Sequence, residues 1–301
     1  MAFEELRMRL SGVVAIPVTP FDAHGDVDES AYAKVVRRIV DGGIDVLTPN
    51  GNTGEFYALS EVEAHQVTEL AVRTVDDSTT VLVGVGHAVA DAVAAARHAE
   101  AAGADAVMIH QPVHPYTSSA GWVAYHQAIA DSVPELGVVL YVRGTRFGGA
   151  ELARLGESCP NVIAVKYAVP DPVRFASVAR EAGQDRFVWL AGLAEPAAPG
   201  YWATGATGFT SGLANVRPGL SLRLLEALRA ADYPAAMAVW QQIRPFEALR
   251  AANESEHNVS VVKEALAQLG VCSADVRPPS SRLDDVGRAA VADVLRSWGL
   301  A

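Results

Sequence analysis

Short apolar, β-branched runs alternate along the chain with longer segments whose apolar residues recur at helical spacing, and eight such pairs can be counted. The runs are GVVAIPVT (12–19), DVLTPN (45–50), TVLVGVG (80–86), AVMIHQP (106–112), GVVLYVR (137–143), VIAVKYA (162–168), FVWLAG (187–192) and ATGFTSG (206–212). The amphipathic stretches behind them are 28–40, 60–75, 89–102, 119–133, 150–157, 172–182, 195–204 and 218–231. Ser60 with Glu63 three places on is a helix-opening box, and Gly42, Gly103 and Gly183 are expected to close helices. Strands that are apolar throughout and separated by helices imply a parallel sheet covered on both faces. Eight such units predict an α/β chain folded as a closed (β/α)8 TIM barrel. An open doubly wound sheet is the alternative, but its dinucleotide fingerprint is missing: Gly84-Val85-Gly86 has no third glycine at the required place. After residue 232 the strand signal stops, and helical stretches follow at 234–252, 259–269 and 286–298. The expected division is a barrel over 1–232 and a C-terminal helical extension over 233–301, packed on the barrel or on a neighbouring subunit.

Composition narrows the function. Half of the 301 residues are apolar, enough for a large core and too many for a disordered chain. Lys plus Arg number 24 against 35 Asp plus Glu, so the formal charge is 24 − 35 = −11. Without a basic stripe, that balance argues against nucleic acid and against an anionic membrane surface as partners. Small anionic substrates stay open, since one local cation outweighs a distant net charge. Cys159 and Cys272 lie far apart without CxxC pairing, which fits neither a disulfide framework nor structural zinc. The first eleven residues carry no apolar core of signal-peptide length, and no run reaches the ~18 apolar residues of a membrane span. A soluble, cytoplasmic protein is expected.

In such a barrel the chemistry sits at the carboxyl ends of the strands. The tips carry Thr19, Asn50 to Glu55, His87, His110 with His114, Tyr141, Arg143, Arg146, Lys166, Tyr167, Glu195, Thr210 and Ser211. Lys166 stands out because the chain has only three lysines. Lys34 and Lys263 fall in helical patterns, where a snorkelling or solvent-facing side chain is expected. Lys166 ends the apolar strand VIAVK, which places its ammonium at the mouth of a water-poor barrel. An ordinary lysine is neutral about once in a few thousand molecules at pH 7; desolvation lowers its pKa and exposes an amine able to form a Schiff base with a ketone. A rim ion pair is the plain structural alternative. Tyr141 ends the preceding strand, where a phenol could pass protons during imine formation. Gly51 and Gly54 around Asn52 and Thr53 allow backbone N–H groups and a hydroxyl to converge on a carboxylate, although the same run is also an ordinary turn. His110 and His114 raise a metal-dependent aldolase as a rival, but strand-to-loop spacing does not put them on one face and no acidic ligand accompanies them. Neither a GxSxG elbow nor a P-loop occurs.

GNTGE after the second strand, a tyrosine ending the fifth and a lysine ending the sixth together resemble the dihydrodipicolinate synthase / N-acetylneuraminate lyase family of class I aldolases. The resemblance extends through 84–112, 210–218 and 258–270. It implies a (β/α)8 barrel with a C-terminal helical domain, a pyruvate or other 2-oxo acid held as a Schiff base, no metal or organic cofactor, and a homotetramer. It assigns Lys166 to the Schiff base, Tyr141 to proton relay, and Thr53 with the adjoining Asn52 to Gly54 backbone to the 2-oxo acid carboxylate. Two positions depart from the pattern: Asn52 stands where the family loop has a hydroxyl, and His114 where the synthases have a second tyrosine. Arg146, five residues after Tyr141, matches the arginine that binds the aldehyde's carboxylate in the synthases. Arg143 and the Phe56 of GNTGEF instead resemble the family's sugar-acid dehydratases. Ser211 is a further substrate-binding candidate. The expected activity is a Schiff-base lyase or aldolase taking a 2-oxo acid and an aldehyde or sugar acid; the alternatives are a sugar-acid dehydratase of the 5-dehydro-4-deoxyglucarate dehydratase kind and a non-catalytic 2-oxo acid sensor.

Overall fold

The computed structural model describes residues 3–300. Its strands β1 (Val13–Ala15), β2 (Val46–Leu47), β3 (Thr80–Val85), β4 (Ala106–Ile109), β5 (Gly137–Val142), β6 (Val162–Tyr167), β7 (Val188–Ala191) and β8 (Gly208–Ser211) pair in chain order, all parallel, and close on themselves. This is the (β/α)8 barrel that the alternation predicts. The connecting helices are α2 (Glu29–Asp41), α3 (Glu61–Thr74), α4 (Val89–Ala102), α5 (Ser119–Ser132), α6 (Gly149–Ser158), α7 (Pro172–Ala182), α8 (Ala194–Trp202) and α9 (Pro218–Arg229). Every strand residue is buried. One parity packs outward against the helices; the other, including Val14, Leu82, Met108, Val139 and Leu190, fills the barrel. β2 is much shorter than its apolar run because Pro49, which has no N–H to donate, turns the chain into the loop, leaving only its carbonyl to accept from Gly84.

The helix-opening box at Ser60 and Glu63 is present, with both reciprocal hydrogen bonds. Gly42 serves differently from expectation. Its φ is −77°, and the left-handed turn falls on Gly43 at φ 91°. What excludes a side chain at Gly42 is space, since a Cβ there would lie 2.1 Å from Pro218 Cγ.

Two features escape the sequence pattern. The first is helix α1 (Glu4–Leu10), too short to show a period, which closes the amino-terminal end of the barrel. Leu10 is fully buried with the interior side chains, Leu6 packs at Gly137, and the Arg7 guanidinium donates to the carbonyls of Ile163 (3.2 Å) and Arg186 (2.9 Å). The second is Lys263. Lys34 is exposed as expected, but Lys263 is completely buried and ion-paired to Glu55. Its helix packs against the barrel mouth, so the position that would face water on an isolated helix faces a carboxylate.

The C-terminal helices α10 (Tyr233–Ser255), α11 (Asn258–Gln268) and α12 (Asp285–Ser297) agree with the expected stretches, and α10 is broken at Ala252 to Glu254. Among the described residues, no helix is long and apolar enough to cross a membrane.

Candidate active site

His110, Tyr141 and Lys166 continue the inward-facing rows of Met108, Val139 and Ala164 on three adjacent strands. Tyr141 pairs directly with Lys166, and Ile109 with Leu140, so the three side chains form one layer at the carboxyl end of the barrel. The Lys166 ammonium lies 4.3 Å from the centroid of the Tyr141 ring. Lys166 is 2% exposed, and among the described residues no carboxylate forms a salt bridge with it. Burial, helped by the nearby Arg143 guanidinium, lowers its pKa to about 7. The rim ion pair is therefore not what this lysine makes.

Burial raises the Tyr141 phenol above its usual range, while Arg143 and Asn52 oppose the shift. Asn52 Nδ2 donates to the phenol oxygen at 3.3 Å, which leaves the phenol's own proton available to another acceptor. Beside it, residues Asn52–Gly54 form a single 3₁₀ turn. Thr53 is buried, and its hydroxyl makes no hydrogen bond to any described residue. Gly54 is fixed from below: its carbonyl accepts from Thr19 Oγ1 at 2.8 Å, and a Cβ would lie 3.0 Å from the Pro17 carbonyl oxygen.

Phe56 stacks on His110, with centroids 4.2 Å apart and planes 6° from parallel, and on His87 at 4.7 Å. His110 Nε2 is 2.8 Å from the Asn50 carbonyl, which only accepts, so that nitrogen carries the proton. Burial lowers the His110 pKa to about 3, leaving it a neutral structural ring of the mouth. Gly86, paired opposite this level, gives room for the stack: a Cβ would lie 3.1 Å from both His110 Cβ and Phe56 Cε1. The motif reading picked out Phe56 only through a resemblance. The physical signal was two glycines in TVLVGVG at inward positions, each making space for a neighbouring ring or carbonyl.

Several expected site residues lie elsewhere. His114 is exposed on the loop after β4, where its Nδ1 accepts from the Tyr116 backbone N–H at 3.1 Å. It does not join the Asn52 and Tyr141 contact, so these three residues form no relay within the described chain. His110 is buried in the mouth while His114 is exposed on the loop. Ser211 shares the outward parity of Phe209. Its hydroxyl donates to Glu195 Oε1 at 2.5 Å and accepts from the Ala214 N–H, so Ser211 is part of a buried cluster behind the barrel wall and is absent from the mouth. Ser221 donates to the same oxygen, and burial together with nearby Glu247 raises the Glu195 pKa to about 7. The two arginines also separate. Arg143 is exposed and close enough to act electrostatically on Lys166, Tyr141 and Tyr57. Arg146 is exposed with its guanidinium 5.8 Å from the Phe147 ring centroid, and it perturbs none of those groups.

Comparison with known proteins gives a consistent result. Residues 9–297 match the model of the dihydrodipicolinate synthetase family. A probable 5-dehydro-4-deoxyglucarate dehydratase of Rhizobium rhizogenes is 33% identical over 95% of both chains. A 4-hydroxy-tetrahydrodipicolinate synthase of Phenylobacterium zucineum is 35% identical over 96% of this chain and 97% of its own. The crystal structure of dihydrodipicolinate synthase from Bacillus clausii superposes with a TM-score of 0.94 at 39% identity, covering 98% of this chain and 99% of that one.

Proposed function

The chain belongs to the dihydrodipicolinate synthetase family, and on that footing we propose that it is a lyase of the class I aldolase type in which Lys166 forms a Schiff base with a 2-oxo acid. The observation that carries this reading is an unpaired, buried ammonium with its pKa lowered to about 7, held beside a buried phenol. At that pKa roughly half of the molecules hold a neutral amine at pH 7, against about one in a few thousand for an ordinary lysine. The amine adds to the 2-oxo carbon, and Tyr141 passes the protons that turn the carbinolamine into an imine plus water. Thr53 and the neighbouring backbone N–H groups hold the carboxylate. Withdrawal of electrons into the iminium lets the carbon next to it lose a proton. The resulting enamine adds to an aldehyde or expels hydroxide from the adjoining carbon; in the retro-aldol direction the same enamine forms instead when the carbon–carbon bond breaks and an aldehyde departs.

Within this reading the dehydration of a sugar acid has a specific support. Arg143 is the arginine that acts on Lys166 and Tyr141, whereas the Arg146 guanidinium lies against Phe147. No metal or organic cofactor enters the reaction so described, and the assembly proposed is a cytoplasmic homotetramer whose subunits each divide into a barrel over 1–232 and a helical part over 233–301.

Borohydride reduction in the presence of pyruvate, followed by peptide mass mapping, tests the proposal. An adduct on Lys166 that vanishes in Lys166→Ala is expected. Modification at another residue, or none with any 2-oxo acid, rejects the mechanism; binding without turnover on a panel of 2-oxo acids and sugar acids would point to a sensor.

A further inference from the structure

We infer that Lys263, on the C-terminal helix α11, is a positioning residue that sets the 2-oxo acid carboxylate loop through its ion pair with Glu55. This inference rests on the reading of Thr53 and its neighbours as the carboxylate site. Glu55 immediately follows the Asn52–Gly54 turn, is 6% exposed, and adopts φ 60°, a left-handed conformation that a residue with a side chain holds only when its surroundings fix it. Both carboxylate oxygens are engaged by the C-terminal part of the chain. Oε1 takes the Lys263 ammonium, and Oε2 accepts from the Arg277 backbone N–H at 2.9 Å.

The ammonium is itself held on other sides. It donates to the Asp275 carbonyl at 2.7 Å and lies 4.1 Å from the centroid of the Phe21 ring. The Arg277 guanidinium is also 4.1 Å from that ring and donates to the Ala58 carbonyl (3.0 Å) and to Glu63, the residue that completes the start of α3. Residues 55, 58 and 63, which lead out of the loop, are thus gripped by residues 263 and 277 from the far end of the chain. On the inner side Gly54 is pinned by Thr19 and crowded by Pro17. The turn bearing Thr53 is stretched between these two fixed points. Removing the ammonium leaves a buried carboxylate without its counter-charge, and such a group moves toward water if the backbone allows. The movement available to Glu55 is a rotation of the loop, which displaces Thr53 and the N–H groups beside it.

The test is borohydride trapping of the full-length protein at graded pyruvate concentrations, read as a half-saturating concentration and a limiting rate. In Lys263→Met the half-saturating concentration is expected to rise by about 10-fold or more, because a displaced binding group weakens ground-state holding, while the limiting rate changes by less than about 3-fold, since Lys166 and Tyr141 are untouched. Glu55→Gln, which can keep the Arg277 contact, should move the same quantity in the same direction, and the double variant should be no worse than the poorer single, as expected of one shared interaction. Circular dichroism and thermal unfolding establish which variants are folded; should Lys263→Met fail to fold, Glu55→Gln and the double variant carry the test. An unchanged half-saturating concentration in a folded variant, or a fall confined to the limiting rate, overturns the positioning role. A wild-type protein that forms no adduct overturns the Schiff-base reading and this inference with it.

Discussion

Arg143 and Lys166 are two cations at one barrel mouth with no carboxylate paired to the lysine among the described residues, and the guanidinium adds to burial in disfavouring the ammonium. Both effects favour the neutral amine relative to an ordinary lysine. That distinguishes this site from the Lys263 site, where an equally buried lysine has a carboxylate against it.

The first consequence is a pH profile. Because the attacking amine must be neutral, trapping with pyruvate at fixed borohydride should be slow below pH 7, half-maximal near the Lys166 pKa of about 7, and flat above it. In Arg143→Ala the ammonium regains stability, so the midpoint should move to higher pH. A midpoint near that of an ordinary lysine, about 10, in the wild-type protein would contradict the burial argument.

The same burial weakens the fold. A lysine whose folded pKa lies below its unfolded value carries a stability cost that is full below the folded pKa and disappears as pH rises toward the unfolded one. Lys166→Met should therefore unfold at higher temperature than wild type at pH 6, with the difference shrinking between pH 7 and about 10. Calorimetry across that range reads it directly.

Tyr141→Phe keeps the ring beside Lys166 and removes the proton carrier and the Asn52 contact. Imine formation should slow by about 100-fold, the usual loss for an acid–base group, with the Lys166 adduct still found by mass mapping.

Arg143 and Arg146 can be told apart on the second half of the reaction. With a sugar-acid substrate, Arg143→Ala should raise KM by about 10-fold or more, as expected for the loss of a charge-assisted carboxylate contact, and Arg146→Ala should leave it nearly unchanged. The reverse pattern, obtained with an aldehyde substrate, would favour condensation.

Gly84→Ala addresses the packing beneath the loop. A Cβ there would lie 2.1 Å from the Asn50 carbonyl oxygen and 2.8 Å from His110 Nε2, so backbone has to move. A loss of ~2 kcal/mol or more in denaturant unfolding is expected, together with weaker pyruvate trapping.

These sites differ in how far the sequence reveals them. Lys166 and Tyr141 could be placed because each ends an apolar strand, and strand parity with parallel register turns a sequence position into a neighbour and a direction. His114 and Ser211 could not. One lies on an irregular loop with no parity to follow, and the other is a single step out of phase with Thr210, enough to turn its hydroxyl through the barrel wall toward Glu195. Lys263 was misplaced for a related reason: helical spacing says which face a residue occupies, but the partner for that face lies 208 positions away. α1 gave too few residues to carry any period.

That short helix has a consequence for turnover. With Leu6, Leu10 and Arg7 closing one end and apolar side chains filling the interior, the layer of His110, Tyr141 and Lys166 can be approached only from the opposite end. On the Schiff-base reading, the water released by imine formation, the second reactant and the product would all pass that one end, so the 2-oxo acid would have to enter before its co-reactant.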